Sequence, residues 1–266
     1  MKKFWGFLLV IVLMTSCGEY QSLLKSNDYN LVYKKAIEYY NKGDYQRAMN
    51  LLDGVRSVFV GQAKDQNIAY YRAFCSYNMK DYQIASDLFK QFIQTYPESS
   101  FAEECLYMMG FCDYKASPKP RLDQQVTEKA IREFQLYLSR YPYSMRKDKV
   151  NTYMDEMRDK LSYKAYLSAK NYYLREHYKA AVISLQNCLK DYPGSKYREE
   201  IMYMLFVSKY QMAVNSVEDK KVERYNNARE EYYYFADEYP NSRYAADVKK
   251  MYEDIEAYLE NYKFED

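Results

Sequence analysis

Apolar and aromatic residues return at intervals of three and four along most of the chain, the period of helices that bury one stripe. Between residues 146 and 174 the stripe is unbroken, through Val150, Tyr153, Met157, Leu161, Ala165, Ala169, Tyr172 and Tyr173, with no Pro or Gly. This predicts one helix about four turns longer than its neighbours. Elsewhere the stripe is cut by a recurring dipeptide, Tyr96-Pro97, Tyr141-Pro142, Tyr192-Pro193 and Tyr239-Pro240, with Ser99, Ser144, Ser195 and Ser242 two places on. Twelve residues before each proline stands an alanine, Ala85, Ala130, Ala181 or Ala228, and four after it Phe89, Phe134, Leu185 or Tyr232. A small Ala lets two helices approach, the bulky residue one turn on fills the neighbouring gap, and Pro ends the helix. Each Ser then accepts from an amide where the next helix begins, and Ser100 with Glu103 has the spacing of a capping box.

A degenerate copy precedes these four, with Ala48 and Leu52 in frame and Val60 in place of the proline. At an offset of 37, Asn30, Tyr33, Ala36, Tyr40, Asn41, Asp44, Tyr45, Gln46 and Ala48 match Asn67, Tyr70, Ala73, Tyr77, Asn78, Asp81, Tyr82, Gln83 and Ala85, an internal duplication. The Ala-x-x-x-Phe…Pro pattern resembles the tetratricopeptide repeat, a two-helix unit of about 34 residues. The expected fold is all-α: a tetratricopeptide-repeat α-solenoid of about five helix pairs plus a C-terminal capping helix. The pairs are expected at 29–62, 66–99, 100–144, 162–195 and 196–242, with the cap at 243–262. Inserts at Lys115–Val126 and Ser216–Val222 are expected in the turns within the third and fifth pairs.

The N-terminus reads differently. Lys2 and Lys3 precede an apolar run from Phe4 to Met14, about half the ~20 residues that span a bilayer, so residues 1–16 read as an export signal. Leu13-Met14-Thr15-Ser16-Cys17 resembles a lipobox, which implies that Cys17 becomes the lipidated first residue and anchors the chain to a membrane. Gly18 after the cysteine points to the outer membrane under the standard sorting rule. The expected divisions are a signal at 1–16, a lipidated tether at 17–28, N-terminal repeats at 29–144, and C-terminal repeats with the long and capping helices at 145–266.

Without the two lysines of the signal, 39 basic residues become 37, equal to the 37 acidic ones. With no sustained basic stripe, a nucleic-acid partner is not expected. Nor are a cofactor or a metal: the chain has no Gly-rich phosphate loop, no G-x-S-x-G, no H-E-x-x-H and no Cys-x-x-Cys, so an enzyme is not expected. The single imidazole, His177, lies in Arg175-Glu176-His177-Tyr178 between two helices and reads as a solvated turn residue. Cys75, Cys105, Cys112 and Cys188 each sit in an apolar stripe and read as small buried hydrophobes, although in an exported chain disulfides are an alternative.

The 35 tyrosines carry the open question. On the first helix of the early pairs, Tyr33, Tyr40, Asn41, Tyr70, Tyr77, Asn78, Met108 and Phe111 would project into a groove. Tyr and Asn suit an extended peptide, since rings supply contact at low entropy cost and amides pair with a backbone. The alternative is that Tyr replaces Phe as packing between helices.

A lipobox, five repeats and a long helix bridging the third and fourth together resemble the BamD family, most closely from Ala169 through Tyr178 and Ala181 to Pro193 and at the first two Tyr-Pro segments, and Ser117-Pro118 with Leu122-Asp123-Gln124 resembles its Bacteroidetes-type members. That resemblance implies a non-catalytic lipoprotein of the outer-membrane β-barrel assembly machinery, anchored by its N-terminal lipid and facing the periplasm. It implies two partners: unfolded outer-membrane protein precursors at the N-terminal repeats, and the barrel-forming (BamA-like) subunit at the C-terminal ones. Arg175, Glu176, Arg198, Glu199 and Glu200 are the candidate docking charges. The rival reading is another tetratricopeptide envelope lipoprotein, acting in peptidoglycan or cell-division scaffolding.

Overall fold

The computed structural model describes residues 18–262, so the expected signal and the lipidation site at Cys17 lie outside the described residues. A short helix α1 (residues 18–24) leads into α2 (Tyr29–Asn41) and α3 (Tyr45–Arg56), α4 (Ala63–Asn78) and α5 (Tyr82–Thr95), and α6 (Ala102–Ala116) and α7 (Gln125–Arg140). Then come α8 (Lys147–Leu174) and α9 (Tyr178–Asp191), α10 (Arg198–Val214) and α11 (Glu218–Glu238), and α12 (Ala245–Tyr262). The described residues are all-α, five helix pairs with a closing helix.

The repeated sequence frame builds a repeated corner. At each Tyr-Pro the tyrosine amide closes the last helical turn, the amide of the following Ser donates to the tyrosine carbonyl, and the Ser carbonyl accepts from the amide three residues on. The hydroxyls of Ser99, Ser144, Ser195 and Ser242 accept from the amides of Phe101, Arg146, Tyr197 and Tyr244 at 3.2, 3.3, 3.3 and 3.0 Å. Proline supplies no donor where none is needed, and the serine satisfies an amide that the next helix leaves open. The Ser100–Glu103 capping box does not form: Phe101 caps α6 without a side-chain bond, and Glu103 instead accepts from Ser144 Oγ and Tyr137 OH at 2.8 and 3.0 Å. The helix begins one residue later than the box requires, and the serine that bonds at its start is Ser99, to the Phe101 amide.

Within the pairs, Ala48, Ala85, Ala130, Ala181 and Ala228 are fully buried, as are Leu52, Phe89, Phe134 and Leu185. Tight turns at Gly43, Lys80 and Glu176 hold left-handed φ of 81°, 68° and 60°. In the third pair the insert forms a loop over residues 117–124. In the fifth it does not: α11 begins at Glu218, so most of Ser216–Val222 lengthens a helix rather than a turn.

The chain divides into two compact units, one of residues through Pro118 with Asp123–Met157, the other of Lys119–Leu122 with residues from Arg158 on. The division lies inside α8, whereas the sequence places its boundary at 144/145. The first unit's core gathers Phe89, Phe92, Phe134 and Tyr137 with Val150 and Met157 of α8. The second unit's gathers Tyr166, Ala169, Leu185 and Met204, and, against α12, Phe206, Phe235, Val248 and Ile255. Residues 18–28, expected as a bare tether, are partly structural: Tyr20 and Leu23 are buried, and the Tyr20 ring meets Tyr39 at 5.9 Å. The cysteines Cys75, Cys105, Cys112 and Cys188 are free and buried.

Candidate functional site

Four elements of the first unit place an aromatic ladder along one run of helices. Tyr40 of α2 meets Tyr71 of α4 at 4.9 Å, and Tyr71 meets Tyr70 at 5.6 Å. Tyr70 lies 4.5 Å from Phe74, Phe74 6.4 Å from Tyr77, and Tyr77 6.2 Å from Phe111 of α6. Phe111 stacks on Tyr114 at 5.9 Å, and Tyr114 on Tyr153 of α8 at 4.4 Å. Spacing of three and four puts Tyr70, Phe74 and Tyr77 of α4 on one stripe and Phe111 and Tyr114 of α6 on another, Tyr71 sits beside that stripe and meets Tyr40, and packing of successive helices joins them. All eight rings are half-buried, so each keeps one part in the core and one in solvent.

The Asn78 side-chain amide donates to the Phe74 carbonyl at 2.8 Å. Burial pushes the phenols of Tyr40 and Tyr70 up to about 12, and raises Tyr33 and Tyr77 too. Near neutral pH these four hydroxyls therefore keep their protons and can both donate and accept.

The sequence-predicted groove residues divide accordingly. Tyr40, Tyr70, Tyr77 and Phe111 belong to the ladder, and Tyr33 sits beside it at 6.2 Å from Phe59 with the Lys64 ammonium 5.4 Å from its ring centroid. Asn41 is exposed. Asn78 is half-buried and gives an amide hydrogen to the Phe74 carbonyl. Met108 is corrected outright: at 5% exposure it is part of the first unit's core, because α6 is wrapped by α5 and α7 and buries nearly its whole surface. Tyr71, Phe74, Tyr114 and Tyr153 are not among the predicted residues, and the spacing of Phe74 and Tyr114 from Tyr70 and Phe111 is the available signal.

The predicted docking charges do not form one patch. Arg198 lays its guanidinium across both carboxylate oxygens of Glu238, which holds that carboxyl below its ordinary value. Glu199 accepts from the Ser242 hydroxyl. Burial disfavours ionised Glu200, but the Lys170 ammonium at 2.7 Å and the Tyr166 hydroxyl outweigh it and hold the carboxyl low. These three residues tie α10 to α8, α11 and the last corner, a correction to their reading as free docking groups. Arg175 and Glu176 are exposed at the α8–α9 turn, where Glu176 supplies the left-handed residue. His177 follows it, also exposed.

In the second unit a cleft of about 730 Å³ is lined by Arg121, Lys164, Lys170 and Leu174 and by Tyr163, Tyr166 and Tyr197. Tyr166 stacks on Tyr197 at 4.4 Å, and Lys164 Nζ donates to the Leu122 carbonyl at 2.8 Å. The sequence reading missed this cleft, since its lining comes from α8, a corner and the third-pair insert together. Among the described residues no cluster of His, Cys, Asp or Glu has the geometry of a metal site, and no helix is long and apolar enough to cross a membrane. Burial pushes the Cys75 thiol up to about 12 and raises Cys105 and Cys112 further, which leaves them protonated and poor as ligands or nucleophiles.

A family model described as outer membrane lipoprotein, YfiO, matches residues 25–200 and 165–265. No curated protein matches the chain. Among solved structures, the chain is similar to a TPR repeats protein of Bacteroides fragilis NCTC 9343, at 13% identity and a TM-score of 0.42, with 87% of this chain and 99% of that one covered. It is also similar to the TPR2AB domain of yeast Sti1 in complex with pHSP90, at 14% identity and a TM-score of 0.39, covering 86% and 98%.

Proposed function

The chain belongs to the YfiO family of outer membrane lipoproteins, and from that premise we propose that it is a non-catalytic, periplasm-facing scaffold of the outer-membrane β-barrel assembly machinery. In this reading Cys17 carries the lipid, and the first unit receives extended segments of unfolded barrel precursors. The barrel-forming subunit docks on the second unit, for which Arg175 and Glu176 remain the exposed candidates.

The observation that supports precursor binding is the ladder from Tyr40 to Tyr153. Contiguous half-buried rings offer apolar faces at intervals along a path, and an extended chain alternates side chains over such a path. Ring contacts tolerate many side chains, as a receptor for varied precursors requires. The ladder has no charge-bearing nucleophile, general base or metal ligand among its rings, so its chemistry is that of binding.

Full-length lipoprotein in mild detergent should bind a fluorescent peptide carrying the last strand of an outer-membrane barrel protein, and should copurify with the barrel-forming subunit. Tyr40→Ala with Tyr77→Ala should weaken the peptide at least tenfold while the barrel subunit still copurifies. Tyr40→Phe with Tyr77→Phe keeps the π faces and should lose far less. Unchanged peptide binding by an alanine variant of wild-type helicity would remove the precursor from the ladder. Copurification with murein-acting or division proteins in place of the barrel subunit would move the chain to the rival scaffolding role.

A further inference from the structure

The four Tyr-Pro corners are copies of one backbone device, and they differ in the residues on either side of the serine. These are Glu98 and Ser100, Tyr143 and Met145, Gly194 and Lys196, and Asn241 and Arg243. Three corners carry small, polar or charged residues there. The corner between α7 and α8 carries an aromatic and a thioether, and these are the most exposed large apolar side chains described, at 98 and 103% of full exposure. The backbone device needs neither of them, as the other three corners demonstrate.

Side-chain bonds hold the frame of this corner in place. Ser144 Oγ accepts from the Arg146 amide and donates to Glu103 Oε1 at 2.8 Å, and it lies within hydrogen-bond reach of Tyr137 OH. The Arg146 guanidinium pairs with Glu104 and lies 4.5 Å from the Tyr107 ring centroid. Arg140 Nη2 donates to the Pro97 carbonyl at 2.9 Å. A rigid frame that presents Tyr and Met to water loses little entropy when they are covered, the property of a binding anchor.

Charge decides what covers them. From Arg140 to Lys149 the chain carries four cations and one acid, Asp148. Arg140 and Arg146 are engaged within the unit, which leaves Lys147 exposed next to Met145 and Lys149 exposed one turn on, its ammonium 5.9 Å from the Tyr153 ring centroid. Two lysines fall well short of the roughly four to eight cations that mark a lipid-headgroup surface. A second copy would set one basic corner against another. We propose that the Tyr143–Met145 corner is a docking anchor for a folded protein partner, one whose apolar pocket is rimmed by carboxylates. This inference does not rest on the precursor-binding reading, because neither Tyr143 nor Met145 is a ladder residue and the variants that test the ladder, at Tyr40 and Tyr77, leave this corner unchanged.

The test uses full-length lipoprotein in its own envelope, with a benzoylphenylalanine photocrosslinker replacing Tyr143 and, as matched controls, Glu98 or Asn241. Position 143 should give one discrete protein adduct that the control corners do not give, and the mapped peptide should carry Asp or Glu beside apolar residues. The purified partner should then bind Tyr143→Ser with Met145→Ser at least tenfold more weakly than wild type, and Lys147→Glu with Lys149→Glu at least threefold more weakly. Both pairs of side chains are exposed, so the variants should keep the wild-type melting temperature. Adducts to lipid, to a second copy or equally from all three corners would overturn the proposal. So would the absence of any adduct, or a crosslinked partner that binds the serine variant as tightly as wild type.

Discussion

A serine hydroxyl at each corner has the same first task, taking the amide two residues on, but the four differ in what else they hold. Ser99 has that amide bond in its corner, whereas Ser144 also bonds Glu103 and meets Tyr137 OH, and Ser242 also bonds Glu199. Removing a hydroxyl from an exposed turn costs about 0.5–1 kcal/mol, and stripping a partner from a half-buried carboxylate costs about 1–3. Ser144→Ala should therefore lower unfolding stability in urea by about 1–3 kcal/mol and Ser99→Ala by less than about 1, with Ser242→Ala between them. Equal losses at Ser99 and Ser144 would mean that the bonds to Glu103 and Tyr137 contribute nothing net. The same contrast shows one tyrosine whose hydroxyl does work that Phe could not. Tyr137 is completely buried as a ring, yet its hydroxyl reaches Glu103 and Ser144, a link between α7, α6 and the corner that Phe would lack.

Helices of this kind bury one stripe against a neighbour, so the last needs a cover. Val248, Ile255 and Leu259 of α12 are buried, and Tyr252 and Tyr258 stack on Tyr232 and Tyr225 of α11 at 4.0 and 4.4 Å. Each buried aliphatic is worth about 1.5–3 kcal/mol, an upper range because the unfolded chain already hides some surface. A chain ending at Ser242 should thus lose protection first over Glu218–Glu238, seen as early proteolysis there while the first unit stays intact; undiminished protection of α11 would mean that α12 is not its cover. This cap was legible in the sequence, as were the pairs and the long helix, whose expected span of 146–174 differs from α8 by one residue. Periodicity and the Ala-to-Pro frame fix helices because they record local geometry. What they do not record is which stripe a second neighbour covers. Met108 has the same period as Phe111, but α5 and α7 close over it and leave Phe111 half open. Charges were harder still: Arg198, Glu199 and Glu200 look like an exposed run, and their partners Glu238, Ser242 and Lys170 lie about 30 to 43 residues away in sequence.

In a repeat protein each pair stabilises its neighbours, and cooperativity extends only as far as the interfaces carry it. The two compact units have separate aromatic cores, and α8 contributes Val150 and Met157 to one and Tyr166 and Ala169 to the other. The buried thiols report on each unit by itself. Cys75, Cys105 and Cys112 lie in the first and Cys188 in the second, and burial raises Cys188 to about 11 and the others further. Alkylation requires a thiolate reached by solvent, so in native buffer at neutral pH all four should resist iodoacetamide for hours. Under rising urea the thiol of the second unit and those of the first should become reactive at separate midpoints, read by mass spectrometry of the modified peptides. A shared midpoint would show instead that the continuous α8 backbone couples both cores into a single cooperative transition, since breaking that helix between them would then cost more than unfolding either core alone.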